Sequence, residues 1–164
     1  MKHPTIFFIG KFFRLPLQDR LLLLEATVWM AVAGAAVAML PFRQLGLLAA
    51  RPTRQPEPTH SSRIIMVSRV RWAIVTATRR LPWPAFCFQQ GLAAQFMLRR
   101  RGIPSVLYYG AGPNDRSGLS AHVWVRDGDV DVIGGDIAHR FAVLATFPPL
   151  NSRGQFGSIK EQRS

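Results

Sequence analysis

The chain has 164 residues, of which 21 are Lys or Arg and 9 are Asp or Glu, so its formal net charge is +12. Hydrophobic residues make up 48% of the sequence, which is enough for a buried core and excludes a wholly disordered chain. The single cysteine excludes an intrachain disulfide framework and a zinc site built from several cysteines. The length fits one domain, and the charge favours an acidic partner, such as nucleic acid, an anionic membrane surface or an acidic polypeptide.

The first part of the sequence is apolar but does not have the pattern of an export signal. In MKHPTIFFIGKFF, Pro4 and Lys11 interrupt the apolar run, and no small-residue cleavage site follows. Residues 21–40 contain one charged residue, Glu25, and favour a packed helix over a membrane-associated one, because the uninterrupted apolar part is short for a bilayer span. Without disulfides or an export signal, we expect a cytoplasmic protein.

Prolines divide the chain. Pro41 ends the first predicted helix, and residues 42–51 are predicted to form a short second one. The following run, RPTRQPEPTHSS, has three prolines and almost no apolar residues, so it is predicted to be a linker or a surface loop. The predicted organisation is a helical region (1–51), a linker (52–62) and a main domain with a basic C-terminal tail (63–164).

The main domain is predicted to contain helices first and strands second. Apolar spacing predicts helices over 63–80 and 86–101, the second ended by Gly102 and Pro104. Beyond Pro104 the apolar residues alternate, which predicts strands over 106–110, 120–126 and 130–133.

Two local signals complete the predicted α+β fold. Asp127 and Gly128 are the predicted central residues of a two-residue hairpin turn between the last two strands. Asp136 is expected to cap a final helix over IAHRFAVL. The order of elements predicts an α+β domain with a small antiparallel meander.

Cys87 is the first candidate for chemistry. It lies in the first turn of its predicted helix, where free backbone N–H groups and the positive end of the helix dipole favour a thiolate. Gly91 and Ala94 follow on the same helix face, so another backbone can approach closely and bring a partner side chain to the sulfur.

The predicted hairpin supplies that partner. With the turn at Asp127 and Gly128, His122 and Asp131 point to the same side of the sheet as diagonal neighbours about 7–8 Å apart. A carboxylate that orients an imidazole, and an imidazole that activates a thiol, form the arrangement of covalent catalysis. A three-residue turn would point Asp131 away, and Asp136 would then take its place.

Each of these residues also has a structural interpretation. A lone cysteine among apolar residues is usually a small buried hydrophobe, and a strand histidine between valines usually packs. Asp136 could be a helix-capping residue with no catalytic role. The combination of Cys87, His122 and a hairpin aspartate is more specific than any one member, and it favours catalysis.

The sequence around these residues resembles the leader peptidases of lasso-peptide biosynthesis, which are transglutaminase-like proteins. The resemblance rests on CFQQGLAAQFMLRRRGIPSVLYYG, then SAHVWVRDGDVDVIGG, then a helix and FPP, and covers about residues 81–150. It implies a transglutaminase- or papain-like core in which the cysteine-bearing helix packs on a small antiparallel sheet. Cys87 would be the nucleophile, His122 the general base and then acid, and Asp131 the orienting acid, with Asp136 in reserve. We expect no cofactor and no metal ion.

The resemblance also implies a reaction and its partners. The reaction is hydrolysis of one peptide bond between the leader and the core of a lasso precursor peptide. The N-terminal residues are too few and too helical for a β-rich leader-recognition module, so we expect that module as a separate protein, together with an ATP-dependent cyclase. The backbone N–H of Cys87 would stabilise the oxyanion. Gln89, Gln90 and Trp83 are near in sequence, but nothing selects one of them as the second donor.

Two other functions remain open at this point. A transglutaminase or deamidase could use the same triad on glutamine side chains. A non-catalytic basic protein could bind nucleic acid or a membrane, but the basic residues are scattered and do not form one stripe with interleaved aromatics. We therefore expect no nucleic-acid partner, and membrane contact through residues 21–40 is the less favoured interpretation.

Overall fold

The computed structural model describes residues 14–53, 56, 58–82, 84–113 and 118–150. This part of the chain contains helices followed by a four-stranded antiparallel sheet, which confirms the predicted α+β class. The elements in chain order are α1 (Leu17–Met39), α2 (Phe42–Ala49), α3 (His60–Thr78), α4 (Cys87–Arg99), β1 (Val106–Pro113), β2 (Leu119–Asp127), β3 (Val130–Ile133), a 3-10 helix (Gly135–Arg140) and β4 (Ala142–Phe147).

Helix α4 lies at the centre of the fold. It packs against α1 and α3 on one side and against the sheet, chiefly β2, on the other. Gly91 makes the close approach to the sheet possible, because a Cβ atom there would lie 2.9 Å from Val123 Cγ1 and 3.3 Å from Leu107 Cδ1. The small-residue face that was predicted from the sequence therefore does allow β2, the strand that carries His122, to pack closely on α4.

Helix α1 packs on α4 through apolar side chains, and an ion pair adds to this contact. Ala26, Met30 and Ala33 are fully buried in the core. Glu25 accepts hydrogen bonds from Arg101, one of them 2.9 Å long, just beyond the end of α4. The helix is also long and apolar enough to cross a membrane, and several of its large apolar side chains face outward. Membrane contact through residues 21–40 stays a prediction.

A single hydrophobic core contains residues from both sides of the predicted linker. Leu22 and Leu45 belong to the same buried cluster as Ile74 and Leu107. The division at 52–62 stays a prediction about chain organisation, and part of that segment lies outside the described residues. The predicted C-terminal tail from residue 151 onward, like the residues MKHPTIFFIGKFF, also lies outside them.

The strand order is β3-β2-β1-β4, and the β2–β3 hairpin differs from the prediction. Asp127 pairs with Val130 and Arg126 with Asp131, so Gly128 and the residue after it form the turn. The predicted turn at Asp127 and Gly128 was wrong by one residue. A bulge between Val125 and Arg126 adds a further change of register.

The predicted final helix over IAHRFAVL was also wrong. The chain forms a short 3-10 helix over Gly135–Arg140 and then β4, which pairs antiparallel with β1. Asp136 lies within the 3-10 helix and is exposed, while Gly134, with φ of 73°, occupies the cap position. A free edge of β1 offers unpaired backbone groups to this segment, and that long-range pairing decided its conformation.

Candidate active site

Cys87 is the first residue of α4. The helix begins there because Pro82 and Pro84 lie just before it, and proline is not tolerated in a helix interior. The N-cap residue, Phe86, provides no side-chain hydrogen bond to the first turn. The N–H groups of that turn are therefore free of a side-chain cap, and with the helix dipole they favour negative charge at this position.

The Cys87 thiol is free and half-buried against the edge of the hydrophobic core. It makes no hydrogen bond within the described part of the chain. The two nearby glutamines that were considered as oxyanion donors are engaged elsewhere. Gln89 donates to the Met30 carbonyl at 2.8 Å, and Gln90 donates to the Ala85 carbonyl at 3.1 Å. The third candidate, Trp83, lies outside the described residues.

His122 is half-buried on β2 and is held on several sides. Its Nε2 atom lies 2.8 Å from the carbonyl oxygen of Gly134, at the end of β3. Its ring centroid is 4.9 Å from that of Phe141 and 6.0 Å from that of Trp124, to which it is nearly parallel. Trp124 in turn stacks on Tyr108 at 5.4 Å. The imidazole therefore sits at the end of an aromatic stack, with one ring nitrogen bound to the main chain.

The alternation of β2 decides which way His122 points. The Val123 and Val125 side chains approach Gly91 of α4. Successive side chains of a strand point to opposite faces, so His122 is turned toward the segment 134–141. The structure thus places Cys87 and His122 on packed elements, but it does not join the thiol to the imidazole by a hydrogen bond.

The edge of β2 next to His122 lacks a strand partner on the β3 side. The β2–β3 ladder extends only from Val125 to Asp127 on β2, because β3 ends at Ile133. The part of β2 before Val125 is therefore a sheet edge on this side in the described structure. The segment that follows β3 covers this edge, since Gly134 lies against the Val123 carbonyl oxygen and the 3-10 helix contacts β2.

Neither predicted aspartate forms a hydrogen bond with His122 in the described structure. Asp131 forms an ion pair with the neighbouring strand residue Arg126, with Nε and Oδ1 2.6 Å apart. That hydrogen bond raises the pKa of Arg126 above its usual value. Asp136 is exposed on the 3-10 helix. Of the three predicted members, the structure therefore places Cys87 and His122 in suitable elements and leaves the carboxylate unassigned.

Sequence reasoning missed the acceptor that does bind His122. It is a main-chain carbonyl, and only the double glycine at 134 and 135 could have pointed to it. A Cβ atom on Gly134 would lie 2.7 Å from the Val123 carbonyl oxygen and 3.3 Å from His122 Nε2. The missing side chain is what lets this carbonyl approach the imidazole. Within the described residues, no group of three or more His, Cys, Asp or Glu side chains could hold a metal ion.

Comparison with known protein families agrees with this arrangement. A family model for the transglutaminase-like superfamily matches residues 27–146, which is more than half of the chain. The chain belongs to the transglutaminase-like superfamily. The match begins within α1 and ends in β4, so it includes Cys87, His122 and both candidate aspartates of this transglutaminase-like protein. No curated protein and no solved structure matches the chain significantly.

Proposed function

We propose that this protein is a cysteine peptidase that removes the leader from a lasso precursor peptide. Membership of the transglutaminase-like superfamily supports a cysteine-based peptidase or transfer activity in general. The observation that carries the proposal is the position of the only cysteine, a free thiol at the uncapped N-terminus of the helix that packs on the histidine-bearing strand. The specific substrate rests on the resemblance of the segments around Cys87 and His122 to the lasso leader peptidases.

The proposed chemistry follows from these two groups. The Cys87 thiolate attacks the scissile carbonyl, and the N–H groups at the start of α4 stabilise the oxyanion that forms. His122 protonates the leaving amine, which breaks the peptide bond and leaves a thioester. His122 then takes a proton from water, and the hydroxide releases the leader fragment and restores the thiol.

His122 points to the face of β2 opposite α4, so the mechanism requires the imidazole to turn toward the thiol when the substrate is bound. Cys87 is one helical turn before Gly91, and Gly91 packs against Val123, the residue after His122. With a rise of 1.5 Å per residue, the two helix positions are about 6 Å apart along the axis. Catalytic hydrogen bonds are often long in free enzymes and tighten in the complex, so we propose that substrate binding completes the contact.

The proposed partners follow from the same reaction. They are the leader region of the precursor, a separate leader-recognition protein and an ATP-dependent cyclase, and we propose a cytoplasmic location for the assembly. The surface charge also suits this role, because a net charge of +12 attracts acidic polypeptide surfaces.

The test is to incubate the protein with a precursor peptide and leader-recognition protein from neighbouring genes and to analyse the products by mass spectrometry. We expect two fragments, with Cys87→Ala and His122→Ala inactive but folded by circular dichroism. Cys87→Ser is the matched control for the thiol, and it should also be inactive. A small mass increase on an intact chain would instead indicate a deamidase. Full cleavage by Cys87→Ala would disprove the proposal.

A further inference from the structure

We propose that the protein lies on the anionic surface of a phospholipid membrane through the outward face of α1. This inference does not depend on the proposed function, because it involves neither Cys87 nor His122. Large apolar side chains recur on α1 at spacings of three, four and seven residues, which places them on one side of the helix. All of them are exposed, and they define the outward face: Leu17, Leu21, Leu24, Val28, Val32 and Met39.

The charged side chains of α1 are all engaged within the protein. Asp19 pairs with Arg69 of α3, with 2.8 Å between the carboxylate and the guanidinium. Glu25 pairs with Arg101 beyond the end of α4, and Nε of Arg20 donates to a main-chain carbonyl before the helix at 2.7 Å. The rest of α1, after Glu25, contains no charged residue. The outward face therefore carries no charge, whereas the solvent side of a helix in a soluble protein is normally charged or polar.

The outward face also has few hydrogen-bonding groups. The exposed polar side chains of α1 are those of Gln18, in the first turn, and Thr27. The Thr27 hydroxyl donates to the Leu23 carbonyl of its own helix at 2.8 Å, so its hydrogen is already used. Protein–protein interfaces are rich in aromatic side chains and form about one hydrogen bond per 100–200 Å². A face made mainly of leucine, valine, alanine and methionine suits hydrocarbon better than it suits another protein.

The inner side of α1 holds the helix in the fold, so we propose contact with the membrane surface and not a transmembrane helix. Ala26, Met30 and Ala33 are fully buried in the core, and the ion pair of Glu25 adds to this attachment. In contrast, only 28% of the most apolar 18-residue stretch of α1 is buried. The helix has 23 residues and is therefore about 34 Å long. It would lie in the plane of the membrane surface, with its outward face between headgroups and acyl chains.

Positive charge at both ends of α1 favours an anionic lipid surface as the occupant. Arg14 lies just before the helix, Arg43 is in the first turn of α2 directly after it, and both side chains are exposed. The sequence MKHPTIFFIGKFF, which precedes Arg14 and lies outside the described residues, adds two lysines and four phenylalanines. Each Lys or Arg near an anionic membrane strengthens binding about fivefold. Two copies of the chain would instead repel each other, since each has a net charge of +12.

The test is flotation of the full-length protein with vesicles of phosphatidylcholine alone or of phosphatidylcholine mixed with anionic phosphatidylglycerol. We expect binding to the anionic vesicles that weakens as salt is added, because salt screens surface charges. Leu24→Gln combined with Val28→Gln should lower the binding constant at least about tenfold, because it removes apolar side chains that enter the bilayer. Arg14→Gln combined with Arg43→Gln should also lower it at least about tenfold and reduce its salt dependence.

Val143→Gln combined with Leu144→Gln is the matched control. It makes the same two changes on β4, where the valine is 52% and the leucine 63% exposed, compared with 60% for Val28 and 52% for Leu24. This control should bind the anionic vesicles as tightly as the unmodified protein does. Circular dichroism should show that every variant is folded.

Three results would overturn the proposal. The first is no binding of the unmodified protein to anionic vesicles. The second is equal binding by the unmodified protein and the Leu24 and Val28 variant. The third is a dimer, seen by analytical ultracentrifugation, that this variant dissociates, since a second copy of the chain would then cover the outward face. If the variant does not fold, the Arg14 and Arg43 variant decides, because unchanged binding and salt dependence in it would also overturn the proposal.

Discussion

Arg63 and Asp127 form a partly buried ion pair that joins the start of α3 to the tip of the β2–β3 hairpin. Arg63 donates from Nε and from a terminal nitrogen to the two oxygens of the Asp127 carboxylate, the Nε contact being 2.7 Å long. The Asp127 side chain is 4% exposed, whereas that of Arg63 is 24% exposed. The hydrogen bond that Arg63 donates to Asp127 raises the pKa of Arg63 above its usual value. Asp127, which is paired with Val130, is the last residue of β2, so the ion pair lies directly beside the turn.

The unequal burial of the pair predicts unequal losses of stability. Arg63→Met leaves a buried carboxylate without a partner and should lower the free energy of unfolding by about 3–5 kcal/mol. Asp127→Asn leaves an arginine that can still reach water and should cost about 1–3 kcal/mol. Urea unfolding at neutral pH measures both. If Asp127→Asn is the more damaging change, the assigned burial of the pair is incorrect.

This pair shows where sequence reasoning reached its limit in the hairpin. Alternation located β3 with the correct bounds, and it placed His122 and Asp131 on neighbouring strands. The turn was taken from the local Asp-Gly signal, which is a property of two adjacent residues. The residue at the end of β2, Asp127, also binds Arg63, which is 64 residues away in sequence. No local pattern contains that information.

Arg99 holds the end of α2, and its loss should loosen the contact between α2 and α4. Its guanidinium donates to the carbonyls of Leu48 at 3.1 Å and Ala49 at 2.9 Å, which are the last two carbonyls of α2. Burial, with the nearby charge of Arg51, lowers the pKa of Arg99 to about 10. Arg99→Ala should therefore lower the free energy of unfolding by about 1–3 kcal/mol.

Arg99→Lys is the informative comparison, because lysine cannot donate to two carbonyls in the planar geometry of arginine. It should recover only part of the stability in urea unfolding. Arg43→Ala, at an exposed position of α2, is the control, and its effect should stay within about 0.5 kcal/mol. If Arg99→Lys is as stable as the unmodified protein, the positive charge alone stabilises the end of α2, and the two hydrogen bonds from one guanidinium are not needed.

The positions of Cys87 and His122 could be predicted from the sequence because each depends on neighbouring residues. The start of α4 at Cys87 follows from prolines beside it, and the position of His122 on a strand follows from alternation, so both are local features. The hydrogen bonds of Asp131 and His122 were not predictable, because Asp131 binds Arg126 and the acceptor at His122 is a main-chain oxygen. Side-chain patterns carry no direct signal for a main-chain acceptor.

Gly91 controls how closely α4 approaches β2. A methyl group there would come within 2.9 Å of Val123 Cγ1 and 3.3 Å of Leu107 Cδ1. Gly91→Ala should lower the free energy of unfolding by about 1–3 kcal/mol through overpacking, although alanine is the better helix former by up to about 1 kcal/mol. Separation of α4 from β2 should also lower kcat on the precursor. Ala35→Val on the exposed face of α1 is the control, and it should change neither stability nor kcat appreciably.

The ionisation of Glu25 predicts how the free energy of unfolding depends on pH. Its burial raises the pKa of the carboxyl group, but hydrogen bonds and charge from Arg101, with a further contribution from Arg100, more than offset this and lower the pKa below its usual 4.5. A carboxyl group with a lowered pKa in the folded state binds its proton more weakly there than in the unfolded chain. Its stabilising contribution is therefore complete above the unfolded pKa and is lost as the pH falls through the folded one.

The measurement is the urea midpoint of the unmodified protein and of Glu25→Gln between pH 7 and pH 3. Glu25→Gln should be less stable by about 1–3 kcal/mol at pH 7, because Arg101 loses its charged partner in a partly buried site. The difference between the two proteins should shrink below about pH 4.5, as the carboxylate of the unmodified protein takes up its proton. Asp19→Asn removes a half-exposed carboxylate that pairs with Arg69 on the same helix bundle, and it serves as the control for general charge effects. A stability difference for Glu25→Gln that stays constant down to pH 3 would show that the ion pair with Arg101 does not hold α1 on α4.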